Sequence, residues 1–240
     1  MLAVAVAGAC TPVKGGPRGP KVLLVGDSIA YGFAPALGAA LGGRPFESAA
    51  VSGCGIVRGR TYNWDGTEHP YAAACDAVIW GRHEEFLQSF DPDIVVWLGI
   101  VELLPHAVDN GLYTPGPIPG PGTYGPAADA KLVELMNEAW GHLQSRGARL
   151  VVLTMPPPTT SVDYLDQRTV HLNALLRYFA SLHPENTKLI DLAALVCPGG
   201  LPCPEQIDGI TLRKPDFHTH FTDAGAAYIA AGIAQLILNS

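Results

Sequence analysis

Two kinds of side chain in this sequence could carry out covalent chemistry together: a serine near the beginning and histidines near the end. Ser28 follows an apolar run, Val22-Leu23-Leu24-Val25, and the dipeptide Gly26-Asp27. Its position, between a buried strand and the first turn of a helix, is where unpaired backbone N–H groups and the positive helix end converge. A hydroxyl there can attack a carbonyl, and the same N–H groups can hold the oxyanion that results. A serine is a weak nucleophile until a base takes its proton, and histidine is the usual base. His218 and His220 lie in a polar loop just before the last helical stretch, and Asp216 is near enough in sequence to orient an imidazole. Asp27 or Ser28 as a simple helix cap is the competing reading of the first stretch. For the second, the competitors are a hydrogen-bonded polar loop and a metal site made of Asp216, His218 and His220. The remaining histidines considered, His83, His142 and His171, fall in helical stretches and read as core or surface residues.

The elements that must position these groups follow from hydrophobic patterning. Short, continuously apolar runs indicate strands buried on both faces. Residues 22–25 and 94–98 have this character and 150–154 nearly so, while 46–51 and 188–192, interrupted by polar residues, read as two further short strands. Between them, residues 30–41, 70–90, 126–146 and 163–182 read as helices, with a terminal helix over 222–238 capped by Thr222 or Asp223. Pro35 is expected near the first turn of its helix. Residues 103–125 and 193–220 read as loops, the first long enough to suggest a functional role. Five strands alternating with helices predict a three-layer α/β/α domain around a parallel sheet. Ligands of such sheets bind beyond the carboxyl ends of the strands. Ser28, Gly53, Glu102, Pro156 and His220 all fall there, which makes them candidates for one site.

Composition narrows the class of partner. The chain has 240 residues, 48% of them hydrophobic and 15% charged, which is enough for one α/β domain with a substantial core. A net charge of −7 without a basic block excludes a nucleic-acid partner, because phosphate binding needs clustered Lys and Arg. Residues 1–9 are apolar, too short to span a bilayer, and end at Cys10 in a box resembling a lipoprotein processing site. No Lys or Arg precedes them, so they read as a truncated secretory signal or the end of an upstream membrane segment, with a frayed terminus as the plain alternative. Residues 11–20 form a Gly/Pro linker. Residues 1–20 are therefore set apart from a domain over 21–240, and Cys10 is the expected membrane anchor. With Cys10 so used, four of the five cysteines remain. We expect disulfides Cys54–Cys75 and Cys197–Cys203, against the alternative of four reduced thiols in a cytosolic protein.

Three blocks taken together resemble the SGNH (GDSL-like) hydrolase family. Val25-Gly26-Asp27-Ser28 resembles the block that carries the nucleophile. Ala50-Val51-Ser52-Gly53 resembles the block whose glycine N–H contributes to the oxyanion hole. His220-Phe221-Thr222-Asp223-Ala224-Gly225 resembles the end of the last block. Gly53-Cys54-Gly55, Cys75, Pro92-Asp93-Ile94-Val95-Val96 and Asp208-Gly209-Ile210 are similar to the extracytoplasmic SGNH domains attached to bacterial membrane acyltransferases. Two positions depart from the family pattern. Val101 stands where the third block, Gly-x-Asn-Asp, has its oxyanion-binding Asn. Asp216 precedes His220 by four positions, where the family has Asp-x-x-His.

The resemblance implies a flavodoxin-like SGNH fold and a cofactor-free serine esterase or O-acyltransferase. Its expected substrate is a short acyl ester, acetyl-like, on a cell-surface glycan or glycolipid. In this reading Ser28 is the nucleophile, His220 the base (with His218 as the alternative) and Asp216 its orienter. The N–H groups of Ser28 and Gly53 form the oxyanion hole, and no metal takes part. Trp64, Tyr113 and Tyr124 are candidate walls for a sugar. The rival readings are a non-catalytic glycan-binding module and a lipase or thioesterase for longer chains.

Overall fold

The structure, a computed structural model, describes residues 19–159, 164–215 and 219–240. The segments 1–18, with Cys10 and most of the linker, and 216–218, with Asp216 and His218, lie outside the described residues.

In chain order the strands are β1 (Val22–Gly26), β2 (Phe46–Ser48), β3 (Arg60–Thr61), β4 (Ile94–Leu98), β5 (His106–Val108), β6 (Gly111–Thr114), β7 (Thr123–Tyr124), β8 (Arg149–Leu153), β9 (Thr187–Ile190), β10 (Gln206–Ile207) and β11 (Ile210–Thr211). The helices are α1 (Ser28–Ala40), α2 (Ala72–Ser89), α3 (Pro126–Leu143), α4 (Leu165–Leu182), α5 (Leu192–Val196) and α6 (Asp223–Leu238), with a short 3₁₀ turn at Val101–Leu103. The central sheet has the order β2-β1-β4-β8-β9 and is parallel throughout.

The apolar runs are continuous because both faces of this sheet are covered. Val22, Leu24, Ile94, Val96, Val151 and Leu153 point into one core with α1, α5 and α6. Leu23, Val25, Val95, Trp97, Leu150 and Val152 point into the other, with α3, α4 and the end of α2, where Trp97 meets Phe179 at a ring distance of 5.8 Å. The result is the expected three-layer α/β/α domain with five parallel strands. The sheet order reverses at β1, so the crevice above the β1 and β4 ends is the natural binding place.

Several local expectations are revised. Pro35 lies well inside α1, not in its first turn. The helix continues past it because Ile29, Ala30, Phe33 and Leu37 bury one unbroken face. The second strand stops at Ser48, but Ala49 and Val51 still donate to the carbonyls of Leu24 and Gly26, so the chain runs on beside β1 in irregular form. Residues 103–125 are not a plain loop: β5, β6 and β7 join β3 in a four-stranded sheet. Its hairpin turns on Asp109-Asn110, both at positive φ, the type I′ geometry that short hairpins favour. Residues 193–220 likewise contain α5 and a second hairpin, β10–β11, turning on Asp208-Gly209 at φ 51° and 78°.

Candidate active site

The turn that carries Ser28 is fixed by Gly26 and Asp27. Gly26 has φ 144°, and a Cβ there would lie 1.8 Å from the Leu98 carbonyl oxygen, so only glycine lets β1 end against β4. Asp27 caps α1: its Oδ1 accepts from the Ile29 N–H at 2.8 Å. Its Oδ2 accepts from Ile100 at 2.6 Å and Val101 at 2.9 Å, in the turn after β4. The cap and nucleophile readings of Gly26-Asp27-Ser28 are thus compatible. Asp27 is the cap, and Ser28, the first residue of α1, is left half-buried at the rim with its hydroxyl outward.

Gly53 arrives beside this turn by the irregular continuation of β2. Val51 donates to Gly26, Cys54 donates back to Val51, and Gly53 takes φ 79° between them. The disulfide Cys54–Cys75 ties the loop to α2, and the ring of Tyr71 closes over Gly53, where a Cβ would meet Cδ2 at 2.7 Å. Among the described residues, no carbonyl or side chain accepts from the N–H of Ser28 or Gly53.

His220 comes from the opposite end of the chain, 192 residues away, and its Nε2 lies 2.9 Å from Ser28 Oγ. With the imidazole protonated at Nδ1, the serine hydroxyl donates to Nε2, the starting arrangement for general-base activation. A short antiparallel strap holds the histidine there. Lys214 donates to the His220 carbonyl, Thr222 donates to Leu212, and Arg213 bridges to Phe221. Arg213 is buried, donates to the carbonyls of Thr219 and Pro156, and lies over the Phe221 ring at 4.4 Å. It thereby joins the His220 strap to the end of β8. Thr222 caps α6 through Gly225, as expected, and Phe221 packs on Phe33 of α1.

Behind the site sit two carboxyls: Asp27, read from the sequence as a possible cap, and Glu102, read as a candidate at the carboxyl rim. Asp27 is fully buried; burial raises its pKa, opposed by its three backbone donors and by His220. Glu102, 1% exposed, accepts from the Ile56 N–H through Oε1 at 2.5 Å. Burial and the neighbouring Asp27 carboxylate push it up to about 7. The burial of Glu102 depends on Gly55 and Gly99, which leave room for it.

The structure brings together Ser28, Gly53 and His220 of the expected set, while Asp216 and His218 lie outside the described residues. The expected sugar walls differ. Trp64 is half-buried under the Arg168 guanidinium at 3.5 Å, and Tyr113 packs on the core behind the sheet. Tyr124 is exposed, but so are two tyrosines the sequence reading passed over. These are Tyr71 on Gly53 and Tyr31, one helical turn after Ser28. Both disulfides are present as expected, Cys54–Cys75 and Cys197–Cys203.

A flavodoxin-like sheet with a serine and a histidine paired over its carboxyl rim places the chain among the ester-acting serine hydrolases and acyltransferases. More narrowly, residues 3–235 match the model of the SGNH domain (fused to AT3 domains), and the chain belongs to that family. Three solved structures share the fold. The periplasmic domain of a lipopolysaccharide acetyltransferase from Salmonella ser. Paratyphi A is 12% identical with a TM-score of 0.59, covering 94% of this chain and 85% of its own. A GDSL-like lipase from Bacteroides thetaiotaomicron is 12% identical with a TM-score of 0.58, covering 97% and 94%. The acetyl xylan esterase AlAXEase is 18% identical with a TM-score of 0.55, covering 90% and 99%. No curated protein matches the chain in sequence at a significant level.

Proposed function

We propose that this SGNH domain is an extracytoplasmic serine esterase or O-acyltransferase acting on a short acyl ester of a cell-surface glycan or glycolipid. The observation that carries the reading is the 2.9 Å approach of His220 Nε2 to Ser28 Oγ at the N-terminus of α1. Ser28 attacks the ester carbonyl as His220 takes its proton. The N–H groups of Ser28 and Gly53 hold the oxyanion. The tetrahedral intermediate collapses to an acyl-serine, and His220 gives the proton to the departing alkoxide. Water or a sugar hydroxyl, deprotonated in turn by His220, then attacks the acyl-serine and releases Ser28. Asp216 is assigned the orienting role on the other imidazole nitrogen.

Two disulfides support an oxidising compartment. The periplasmic acetyltransferase domain and the acetyl xylan esterase among the fold's relatives support a short acyl group on a carbohydrate. The exposed rings of Tyr31 and Tyr71 beside the site suit stacking on a sugar face. No helix among the described residues is long and apolar enough to cross a membrane. Attachment through Cys10 belongs to the proposal on the strength of the lipoprotein-like box that ends there. Val101 in place of an oxyanion-binding Asn favours a second reading, a glycan-binding module without turnover.

A fluorophosphonate probe separates the two. The esterase reading expects stoichiometric labelling at Ser28, lost in Ser28→Ala and strongly slowed in His220→Ala. A folded protein that takes no label leaves the binding module. A series of 4-nitrophenyl esters is expected to favour acetyl, and a preference for long chains would replace the acetyl-glycan reading with a lipase or thioesterase.

A further inference from the structure

The two carboxyls behind the nucleophile differ in what they are given. Asp27 receives three backbone N–H groups at a helix N-terminus, an environment that favours the ionised form. Glu102 receives one well-formed bond, from Ile56 through Oε1, while the N–H groups of Glu102 itself and of Val57 favour its charged form more weakly. Its Oε2 is buried and, among the described residues, has no hydrogen-bond partner. The two groups face each other across Gly99, where a Cβ would lie 3.1 Å from Asp27 Oδ2 and 3.2 Å from Glu102 Oε2. Two like charges in so dry a place cannot both persist, so one proton is retained by the carboxyl with the fewer well-formed hydrogen bonds and the unpartnered Oε2.

We propose that Glu102 is a positioning residue that holds the single proton of an Asp27–Glu102 acid pair and, as the neutral acid, locks the Gly53–Ile56 oxyanion loop against the nucleophile turn. Three loops meet at this pair. Asp27 precedes Ser28 and grips the turn after β4 through Ile100 and Val101. Glu102, in that same turn, grips the oxyanion loop through Ile56 and lies against Gly55, where a Cβ would be 2.7 Å from Oε1. Loss of the proton places a second negative charge beside Asp27 and drives the loops apart. Activity then falls on the alkaline side of neutrality. The consequence for turnover rests on Ser28 being the nucleophile; the proton on Glu102 does not.

The other groups around the pair leave this assignment intact. His220 acts on Asp27 and favours its ionised form. His106, on the strand that follows, is buried and kept neutral, its pKa held down to about 4 by desolvation. Helix α4 packs on the Val101–Leu103 turn and carries Arg168, whose guanidinium lies over Trp64. The sign of the linkage is definite. Glu102 is raised from 4.5 to about 7 in the folded state, so the folded protein binds this proton more tightly than the unfolded chain. Its contribution to stability is full below about pH 4.5 and is lost as pH rises to about 7.

The test compares wild type with Glu102→Gln, whose amide is neutral at every pH and can still accept from Ile56. Thermal unfolding is followed from about pH 4.5 to about pH 8.5, and the rate of fluorophosphonate labelling from about pH 6 to about pH 8.5. The Gln variant is expected to gain several degrees on wild type as pH rises. It is also expected to label within about threefold of wild type near pH 6 and to lose the alkaline fall. Glu102→Ala, which removes the grip on Ile56, is expected to label slowly throughout. Parallel melting curves for wild type and Glu102→Gln overturn the shared proton. An alkaline fall that persists in Glu102→Gln overturns its role in the loops. A wild type that never labels, but whose melting curve diverges from the Gln variant as expected, removes the nucleophile assignment and leaves the acid pair. Should the Gln variant fail to fold, infrared difference spectra of wild type decide the point: a buried COOH band present near pH 6 and absent near pH 8.5 supports the pair, and no change across that range overturns it.

Discussion

The two disulfides close loops of very different length, and this makes a prediction in which only one of them matters to chemistry. Cys54 and Cys75 are 21 residues apart; Cys197 and Cys203 are 6 apart. A cross-link stabilises mainly by restricting the unfolded chain, with an entropy that grows as the logarithm of the loop. At 25 °C the longer loop corresponds to about 3.3 kcal/mol and the shorter to about 2.2 kcal/mol. All four cysteines are buried, so paired alanine variants avoid leaving a hydroxyl in the core. Equilibrium urea unfolding of Cys54→Ala/Cys75→Ala and of Cys197→Ala/Cys203→Ala measures both terms. With a slope of about 3 kcal/mol/M, the midpoint falls by about 1.1 M for the first pair and about 0.7 M for the second. Cys54 also borders Gly53, so the first pair is expected to slow labelling of Ser28 under native conditions, while the second leaves it unchanged. Equal or reversed losses of stability would refute the loop-entropy reasoning. Unchanged labelling in Cys54→Ala/Cys75→Ala would show that the link does not hold the oxyanion loop in place.

Two further substitutions probe the rim. Gly26→Ala forces a side chain onto the Leu98 carbonyl at a positive φ and is expected to lose at least about 3 kcal/mol, read as a melting temperature lower by about 6 °C or more; a shift under 3 °C in a thermal scan would contradict it. Val101→Asn restores the third oxyanion donor of the family pattern. The Val101 side chain already lies on the oxyanion loop, where Gly55 comes to 3.3 Å of its Cγ1 by the measure of an added Cβ. Turnover of 4-nitrophenyl acetate is expected to rise by about tenfold to a hundredfold, and an unchanged kcat in a stably folded variant would mean that the side chain does not reach the oxyanion.

What could be read from the sequence was what depends on one stretch at a time. The runs at 22–25 and 94–98 announce strands covered on both sides, because no polar residue interrupts them. Ser28 and His220 were legible for a different reason: serine and histidine at opposite ends of a parallel α/β chain can meet only over the carboxyl rim. The hairpins at Asp109-Asn110 and Asp208-Gly209 carried a local signal, left-handed residue types at a two-residue turn, which the surrounding prolines and glycines obscured. Arg213 and Tyr71 carried none, and for Glu102 only its place at the rim was legible, not its burial or its partner. Each takes its role from residues distant in sequence: Gly55 and Asp27 for Glu102, Pro156 for Arg213, Gly53 for Tyr71. A buried charge or a capping ring is a property of the assembled rim.

The reactive pair is supplied by the first helix and by the strap that leads into the last one, and the two helices pack on the same side of the sheet. Synthesis therefore delivers the serine early and withholds its partner until the segment that leads into α6 has been made. A chain that stops short of His220 lacks the imidazole that approaches Ser28 Oγ. Under the function proposed above, labelling of Ser28 requires this segment to have closed over α1, so that reactivity at Ser28 doubles as a report of that closure.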